Sequence, residues 1–191
     1  GLPINKLIIA TNNNDILKRV VKTGSYKPLK VQHTISPSMD IQVASNFERL
    51  VFDLSSCDSI RTIKFMNDLN KKGECNLNEK EKEKINESFC SDSLSEEETK
   101  SVIHSVYKNH GLLIDPHTAI GLGVSSKISL SETIIALSTA HPSKFFETVM
   151  NATGVKPELP DDLENILSKE ERYEKLPNDL EKVKKYILKK V

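Results

Sequence analysis

The sequence contains no tryptophan, and aromatic residues make up only 5% of it. Aromatic rings provide the stacking platforms on which many proteins bind single-stranded nucleic acid. An excess of charge of one sign is also absent, because 27 lysine and arginine residues balance 27 aspartate and glutamate residues. A chain without net charge has no overall field that attracts a polyanion. The composition therefore predicts that nucleic acid is not a partner.

Cysteine is scarce as well. Cys57, Cys75 and Cys90 are odd in number and form no Cys-x-x-Cys pair, a pattern that favours neither a disulfide framework nor a zinc site. We therefore expect a reducing, cytoplasmic setting and no metal. No apolar run approaches the ~18 residues that a membrane-spanning helix needs, so a membrane is not an expected partner either.

Short apolar runs alternate with helical periodicity along the chain. The run at residues 7–10 predicts a buried parallel strand. A helix should follow, capped by one of the polar residues 13–15 and ended by Gly24. A second unit consists of the apolar run at residues 133–137 and a helix with Pro142 at its first position. Such strand–helix units predict an α/β fold.

The segments between these two units are more varied. Residues 30–33 suggest a short strand, whereas 46–54 and 59–69 have the spacing of amphipathic helices. Residues 71–100 are densely charged and show no strand pattern, which predicts a solvated helical insertion. Near the end of the chain, residues 178–187 predict a basic helix.

Helix-start signals are clear in the second half. Ser95 and Glu98 have the spacing of a capping box, and Gly111 predicts the end of the helix that they begin. Asp115 followed by Pro116 is typical of the start of another helix.

The most informative stretch places many polar groups around a turn that leads into a helix. It consists of the segments Ser36-Pro37-Ser38-Met39-Asp40-Ile41 and Ser45-Asn46-Phe47-Glu48-Arg49. Two later stretches, Asp115-Pro116-His117-Thr118-Ala119-Ile120-Gly121 and Leu137-Ser138-Thr139-Ala140-His141-Pro142-Ser143-Lys144-Phe145, follow in order, and residues 1–15 lie upstream. Together these stretches resemble the threonine synthases, in particular the larger fungal and proteobacterial branch of that family.

The resemblance covers most of residues 1–150, fades at 71–94 and again after 151, and reaches only the later part of the family's chain. It implies a pyridoxal phosphate (PLP) enzyme of fold type II, with an open parallel sheet, flanking helices and a helical insertion. The implied divisions are strand–helix units with the substrate loop (1–70), a charged helical insertion (71–112), a return to the PLP-binding domain (113–154) and a C-terminal helical extension (155–191).

Family members convert O-phospho-L-homoserine and water into L-threonine and phosphate. The resemblance implies that their Schiff-base lysine and their glycine-rich phosphate loop belong to a missing N-terminal portion. No catalytic residue is therefore expected in this chain, which should be inactive alone. Lys144 does not replace the lysine, because it follows Thr139 and so would lie at the opposite edge of the ring from the aldehyde.

Thr139 is the predicted cofactor-binding residue. It follows an apolar run and precedes a helix, and ligands of open α/β sheets bind beyond the carboxyl ends of strands. The resemblance implies that its hydroxyl bonds the pyridine nitrogen of PLP. A hydroxyl leaves that nitrogen neutral, whereas a carboxylate would keep it protonated. The alternative is that Thr139 only caps the following helix.

A substrate with a phosphate and a carboxylate needs oxyanion-binding groups. Arginine offers a planar fork, serine and asparagine add neutral donors, and a helix start adds free N–H groups. The alternative is structural: one residue caps the helix, the arginine pairs with a nearby acid, and the aspartate bonds the turn. The candidate substrate-binding residues are Arg49, Asn46, Ser45, Asp40 and Ser38.

Asp115, His117 and Thr118 include two residue types found in metal sites, but no His-x-x-x-His spacing accompanies them. A capped helix start is the favoured interpretation, and the resemblance adds a supporting role in aligning the pocket. His141 is predicted to orient Thr139. Two further functions stay open: a threonine-synthase-like protein with a different phosphorylated amino-acid substrate, and a non-catalytic interaction module that uses the charged residues 71–100.

Overall fold

The computed structural model describes residues 3–128, 132–163 and 165–191. Two compact units divide the chain, one ending at Glu158 and the other comprising Leu159–Val191. Gly1 and Leu2, the first residues of the upstream stretch, lie outside the described residues. The four divisions predicted from the sequence remain predictions.

A parallel pair of strands lies at the centre of the first unit. β1 (Leu7–Thr11) pairs with β4 (Phe89–Ser93) in a register that runs from Leu7 opposite Phe89 to Thr11 opposite Ser93. The α/β prediction is confirmed. The expectation that residues 71–100 contain no strand is wrong, because β4 lies within that range and is bonded to the predicted strand.

A short antiparallel pair and the helices complete the described structure. The strands of that pair are β2 (Ser25–Tyr26) and β3 (Cys75–Asn76). Within the described ranges the helices are α1 (Ile16–Thr23), α2 (Phe47–Leu54), α3 (Ser59–Lys72), α4 (Glu79–Ser88), α5 (Glu96–His110), α6 (Pro116–Ile128), α7 (Phe146–Thr153) and α8 (Leu180–Leu188). No helix within those ranges is long and apolar enough to cross a membrane.

Several helix ends follow the sequence signals. Gly24 and Gly111 end α1 and α5 with left-handed backbone, which glycine adopts without steric cost. Ser95 and Glu98 form the predicted capping box at the start of α5. The basic helix α8 begins after Asp179, whose side chain accepts from the Lys182 N–H, rather than after the predicted Asn178.

Helices cover both faces of the β1–β4 pair, since successive side chains of a strand point to opposite sides. Ile9 and Phe89 pack on a core formed largely by α1, α2 and α3, with Tyr26, Phe47 and Phe65 at its centre. On the other side, Ile8 and Ala10 pack on a smaller core. That smaller core contains Leu94, Ile120 and Val124, so α6 lies against the sheet.

Two predicted strands are not observed, and each has a physical reason. Residues 30–33 have no partner strand within the described ranges. The Asn14 side chain bonds both the N–H and the C=O of Gln32, at 2.9 and 2.8 Å, and so takes the place of a neighbouring strand. Residues 133–137 also lack strand pairing. Ile135 and Leu137 are 84% and 78% exposed, and no segment in the described part of the chain pairs with them.

α6 packs closely enough that one of its glycines has no room for a side chain. A Cβ at Gly123 would lie 2.5 Å from Leu94 Cδ2 and 3.0 Å from Val102 Cγ2, whereas a Cβ at Gly121 would have no neighbour within 4 Å. We expect Gly123→Ala to lower the free energy of unfolding by ~1–2 kcal/mol, because Leu94 is buried and cannot move freely. Urea unfolding of the purified chain measures this change.

Gly121→Ala is the matched control in the same helix. Alanine is the better helix former, so this variant should be as stable as the original or gain up to ~1 kcal/mol. Equal effects of the two substitutions would contradict the close packing of α6 on Leu94.

Candidate functional site

The predicted cofactor residue, Thr139, lies in an exposed loop before the helical turn Pro142–Phe145. Its Oγ1 lies 3.1 Å from Thr118 Oγ1 and 3.3 and 3.4 Å from the two carboxylate oxygens of Asp115. Its backbone N–H donates to Thr118 Oγ1 at 3.1 Å. Thr139 is therefore an exposed residue whose hydroxyl and backbone N–H both bond to polar groups at the start of α6.

The capping alternative for Thr139 is wrong, because the residue that caps the following turn is His141. Its Nδ1 accepts from the Ser143 N–H at 3.3 Å and lies 2.7 Å from Ser143 Oγ. The prediction that His141 orients Thr139 is also wrong, since the bonds that hold Thr139 come from Asp115 and Thr118.

Asp115 is the centre of this cluster and is completely buried. Its Oδ1 accepts from the His117 N–H at 2.9 Å and lies 2.8 Å from His117 Nδ1, and its Oδ2 accepts from the Thr118 N–H and hydroxyl. Burial alone raises the pKa of Asp115, but the hydrogen bonds from His117 and Thr118 outweigh it and hold the pKa at about 2. The carboxylate is therefore ionised at neutral pH.

The predicted helix-start role of Asp115 is confirmed, and the structure adds a second role. The same carboxylate that binds the first N–H groups of α6 also lies behind the Thr139 hydroxyl. The resemblance implied a supporting role in aligning the pocket, but these particular contacts between residues far apart in the sequence were not predicted.

Ser38 is brought to this cluster by its backbone. The turn Pro37–Met39 directs the Ser38 N–H to Nε2 of His117, at 3.2 Å. The His117 ring packs against Phe145, with ring centroids 4.7 Å apart. The predicted substrate loop and the predicted cofactor loop thus meet at the start of α6.

Asp40 is half-buried and accepts four hydrogen bonds. Its Oδ1 accepts from Asn12 Nδ2 (2.8 Å), Asn14 Nδ2 (3.0 Å) and Thr34 Oγ1 (2.7 Å), and its Oδ2 accepts from the Thr34 N–H (2.9 Å). These contacts match the alternative in which Asp40 bonds the turn. Asn12 and Asn14, to which sequence reasoning gave no role at the site, follow β1 at its carboxyl end, where ligand-binding groups of parallel sheets collect.

Ser45, Asn46 and Arg49 lie exposed at the start of α2. Arg49 Nη2 donates to Asn46 Oδ1 at 3.0 Å, so the partner of Arg49 is an amide rather than the acid of the structural alternative. Asn46 precedes the helix without capping it through its side chain. The structure brings these residues close to one another, but their described contacts do not connect them to Thr139.

Comparison with known proteins finds similarity to threonine synthases. Residues 118–187 match the family described as threonine synthase, C-terminal. Over 190 residues the chain is 40% identical to a threonine synthase of Pseudomonas aeruginosa. The alignment covers 98% of this chain and 40% of that protein. A crystal structure of PLP-bound threonine synthase from Brucella melitensis superposes with a TM-score of 0.89 at 41% identity, covering 98% of this chain and 40% of that one. Over almost all of its length, the chain is similar to a C-terminal portion of threonine synthases.

The similarity to threonine synthases extends further than the motifs indicated. It does not stop at residue 151, because the family match continues to residue 187. The chain is also 35% identical over 159 residues to human threonine synthase-like 1. That alignment covers 82% of this chain and 21% of the human protein. The chain thus spans well under half the length of these relatives.

Proposed function

We propose that this chain forms the part of a PLP-dependent threonine synthase that binds the cofactor edge, meaning the ring-nitrogen edge of PLP. The enzyme converts O-phospho-L-homoserine and water into L-threonine and phosphate. The observation that carries this proposal is the position of Thr139, an exposed residue in a loop before a helical turn, whose hydroxyl is held by Asp115 and Thr118. That arrangement fits PLP, because the ring nitrogen needs one hydrogen-bonding group at the edge of a flat ring.

PLP supplies an electron sink when it is bound. The contribution of this chain is orientation: Thr139 would hold the ring-nitrogen edge, and Asp115 and Thr118 hold the Thr139 side chain in place. The family's lysine and glycine-rich loop would come from a further portion of the enzyme. We therefore propose that the chain is inactive without that portion, which would be its partner.

The substrate-binding roles divide according to the observed contacts. Arg49 and Asn46 suit an anionic substrate group, since both are exposed and the guanidinium has donors beyond the one given to Asn46. Ser45 and Ser38 add exposed hydroxyl groups. Asp40 acts indirectly by holding the loop, because its carboxylate is already occupied by neutral donors of the protein.

The similarity to human threonine synthase-like 1 supports one alternative, a related enzyme with a different phosphorylated amino-acid substrate. Both versions use the same cofactor edge and differ only in the substrate that releases phosphate. An interaction module that uses residues 71–100 is less well supported, since β4 lies within that segment and pairs with β1. We also infer a reducing, cytoplasmic setting, supported by the free Cys57, Cys75 and Cys90.

Phosphate release by the protein that includes the lysine-bearing portion tests the proposal. We expect release from O-phosphohomoserine in the presence of PLP, and none from the 191-residue chain alone. Thr139→Val should lower kcat/KM roughly 100-fold, because the ring nitrogen loses its partner. Thr139→Ser keeps the hydroxyl and should retain most of the activity.

Thr133→Val is a matched control, because Thr133 is exposed in the same loop. It should leave activity unchanged. Full activity of Thr139→Val would remove Thr139 from the site. Release of phosphate from another phosphorylated amino acid, but not from O-phosphohomoserine, would favour the threonine-synthase-like alternative.

A further inference from the structure

The hydrogen bonds of His117 define its tautomer. A backbone N–H can only donate, so the Ser38 N–H at 3.2 Å requires that Nε2 of His117 carries no proton. The proton of the neutral ring is then on Nδ1, which donates to Asp115 Oδ1 at 2.8 Å. Both ring nitrogens are therefore occupied, one as acceptor and one as donor.

The ring is also held in place by packing. His117 is only 6% exposed, and its ring lies 4.7 Å from that of Phe145. A ring flip would place carbon atoms opposite the Ser38 N–H and the buried Asp115 carboxylate, and would leave both without these bonds. Losing partners for buried polar groups is costly, so the observed orientation is strongly favoured.

His117 lies between two loops that are distant in the sequence. On one side it accepts from the turn that contains Ser38, and on the other it donates to the carboxylate that lies behind Thr139. The described contacts run from the Ser38 backbone through His117 and Asp115 to the Thr139 hydroxyl.

We propose that His117 is a positioning residue that fixes the Ser38 turn relative to the Thr139 hydroxyl, and so sets the distance between the substrate loop and the cofactor edge. The contacts described for its ring are with protein groups, so it acts through them. Its influence on the reaction rests on the proposed function, whereas its influence on the geometry does not. The role requires the unprotonated Nε2 as an acceptor, which distinguishes it from a residue that only fills space.

NMR spectroscopy of the ¹⁵N-labelled 191-residue chain tests the geometry without any variant. We expect ¹⁵N shifts of the His117 ring that report an unprotonated Nε2, together with a coupling across the hydrogen bond to the Ser38 amide. A ring protonated on Nε2 at neutral pH would overturn the proposal, because that nitrogen could not accept.

Two substitutions then separate positioning from packing. His117→Phe keeps a ring against Phe145 but removes the acceptor, and hydrogen exchange of the Ser38 amide should accelerate about tenfold, the equivalent of one lost hydrogen bond. His117→Gln places an oxygen near the position of Nε2 and should restore slow exchange to within about threefold.

The Gly24 amide, which donates to the Val20 C=O at the C-terminal end of α1, serves as the internal reference for changes elsewhere in the chain. Its exchange should not follow that of Ser38. Unchanged exchange of Ser38 in His117→Phe, or equal acceleration of Ser38 and Gly24, would show that His117 serves only the packing and would overturn the proposal.

The activity of the protein that includes the lysine-bearing portion provides a separate result. His117→Phe should raise KM for O-phosphohomoserine about tenfold with a smaller change in kcat, and His117→Gln should recover KM. If the exchange results hold but no variant releases phosphate, the proposed function fails and the positioning role stands. If phosphate is released and KM does not depend on residue 117, the positioning role fails for catalysis.

Discussion

Asp115→Asn is expected to lower the free energy of unfolding by ~3 kcal/mol at neutral pH. Asparagine can replace only part of the acceptor capacity of a carboxylate that binds two backbone N–H groups, the His117 ring and the Thr118 hydroxyl. The amide end would direct N–H groups at donors inside a fully buried site. Urea unfolding at neutral pH measures the loss.

The same variant should change the pH dependence of stability. Because the pKa of Asp115 is lowered to about 2, its ionised form stabilises the fold above the pKa of the unfolded chain, near 3.8. This contribution, about 2 kcal/mol, is lost as the pH falls from about 4 towards 2. The difference between Asp115→Asn and the original chain should therefore shrink below pH 4. Glu98, whose pKa is also about 2 through its bond to Lys127, contributes equally to both chains.

Asp58→Asn is the matched control, because Asp58 also precedes a helix and accepts from a backbone N–H, that of Arg61 at 3.0 Å. Asp58 is exposed, and asparagine caps helices as well as aspartate does. We expect a change of less than ~0.5 kcal/mol. A similar loss in both variants, or a pH-independent loss in Asp115→Asn, would contradict the role of the buried carboxylate.

Glu81→Gln is expected to destabilise the chain by a similar amount, ~3 kcal/mol. Glu81 is 1% exposed and forms a two-point pair with Arg61, at 2.8 Å from Nε and 2.7 Å from Nη2. It also accepts from the Asn78 N–H in the capping box of α4. A neutral side chain leaves the Arg61 charge without its partner, so the melting temperature should fall by roughly 6–12 °C.

Glu79→Gln provides the comparison within the same turn of α4. Glu79 pairs with Lys82 at 2.8 Å, but its side chain is 84% exposed. Exposed pairs of this kind contribute little, and the melting temperature should change by no more than ~2 °C. Calorimetry of the two variants would show equal changes if burial of the Arg61–Glu81 pair were unimportant.

The helix ends of this chain were predictable because their signals are local. Gly24, Gly111 and the Ser95–Glu98 pair act within one turn of backbone, and the structure has each where the sequence placed it. β4 was missed for the opposite reason. Its residues are mostly polar, and what makes them a strand is pairing with β1, which no local pattern reports.

The candidate site shows the same division. The position of Thr139 in a loop before a helical turn followed from its neighbours in the sequence. Its bonds to Asp115 and Thr118, and the bond from Ser38 to His117, join segments that meet only in the folded chain. Residue types indicated what each group could bind, but tertiary contacts decided which groups met.

The β1–β4 pairing has a consequence for how the chain folds. Leu7 and Phe89 are partners across about eighty intervening residues, so joining them closes a long loop, which costs roughly 4 kcal/mol of chain entropy. Helices α1 to α4 lie within that loop and pack on a shared core. Their collapse shortens the distance that the strand ends must cover, so the centre of the sheet is expected to be completed late, as in other chains of high contact order.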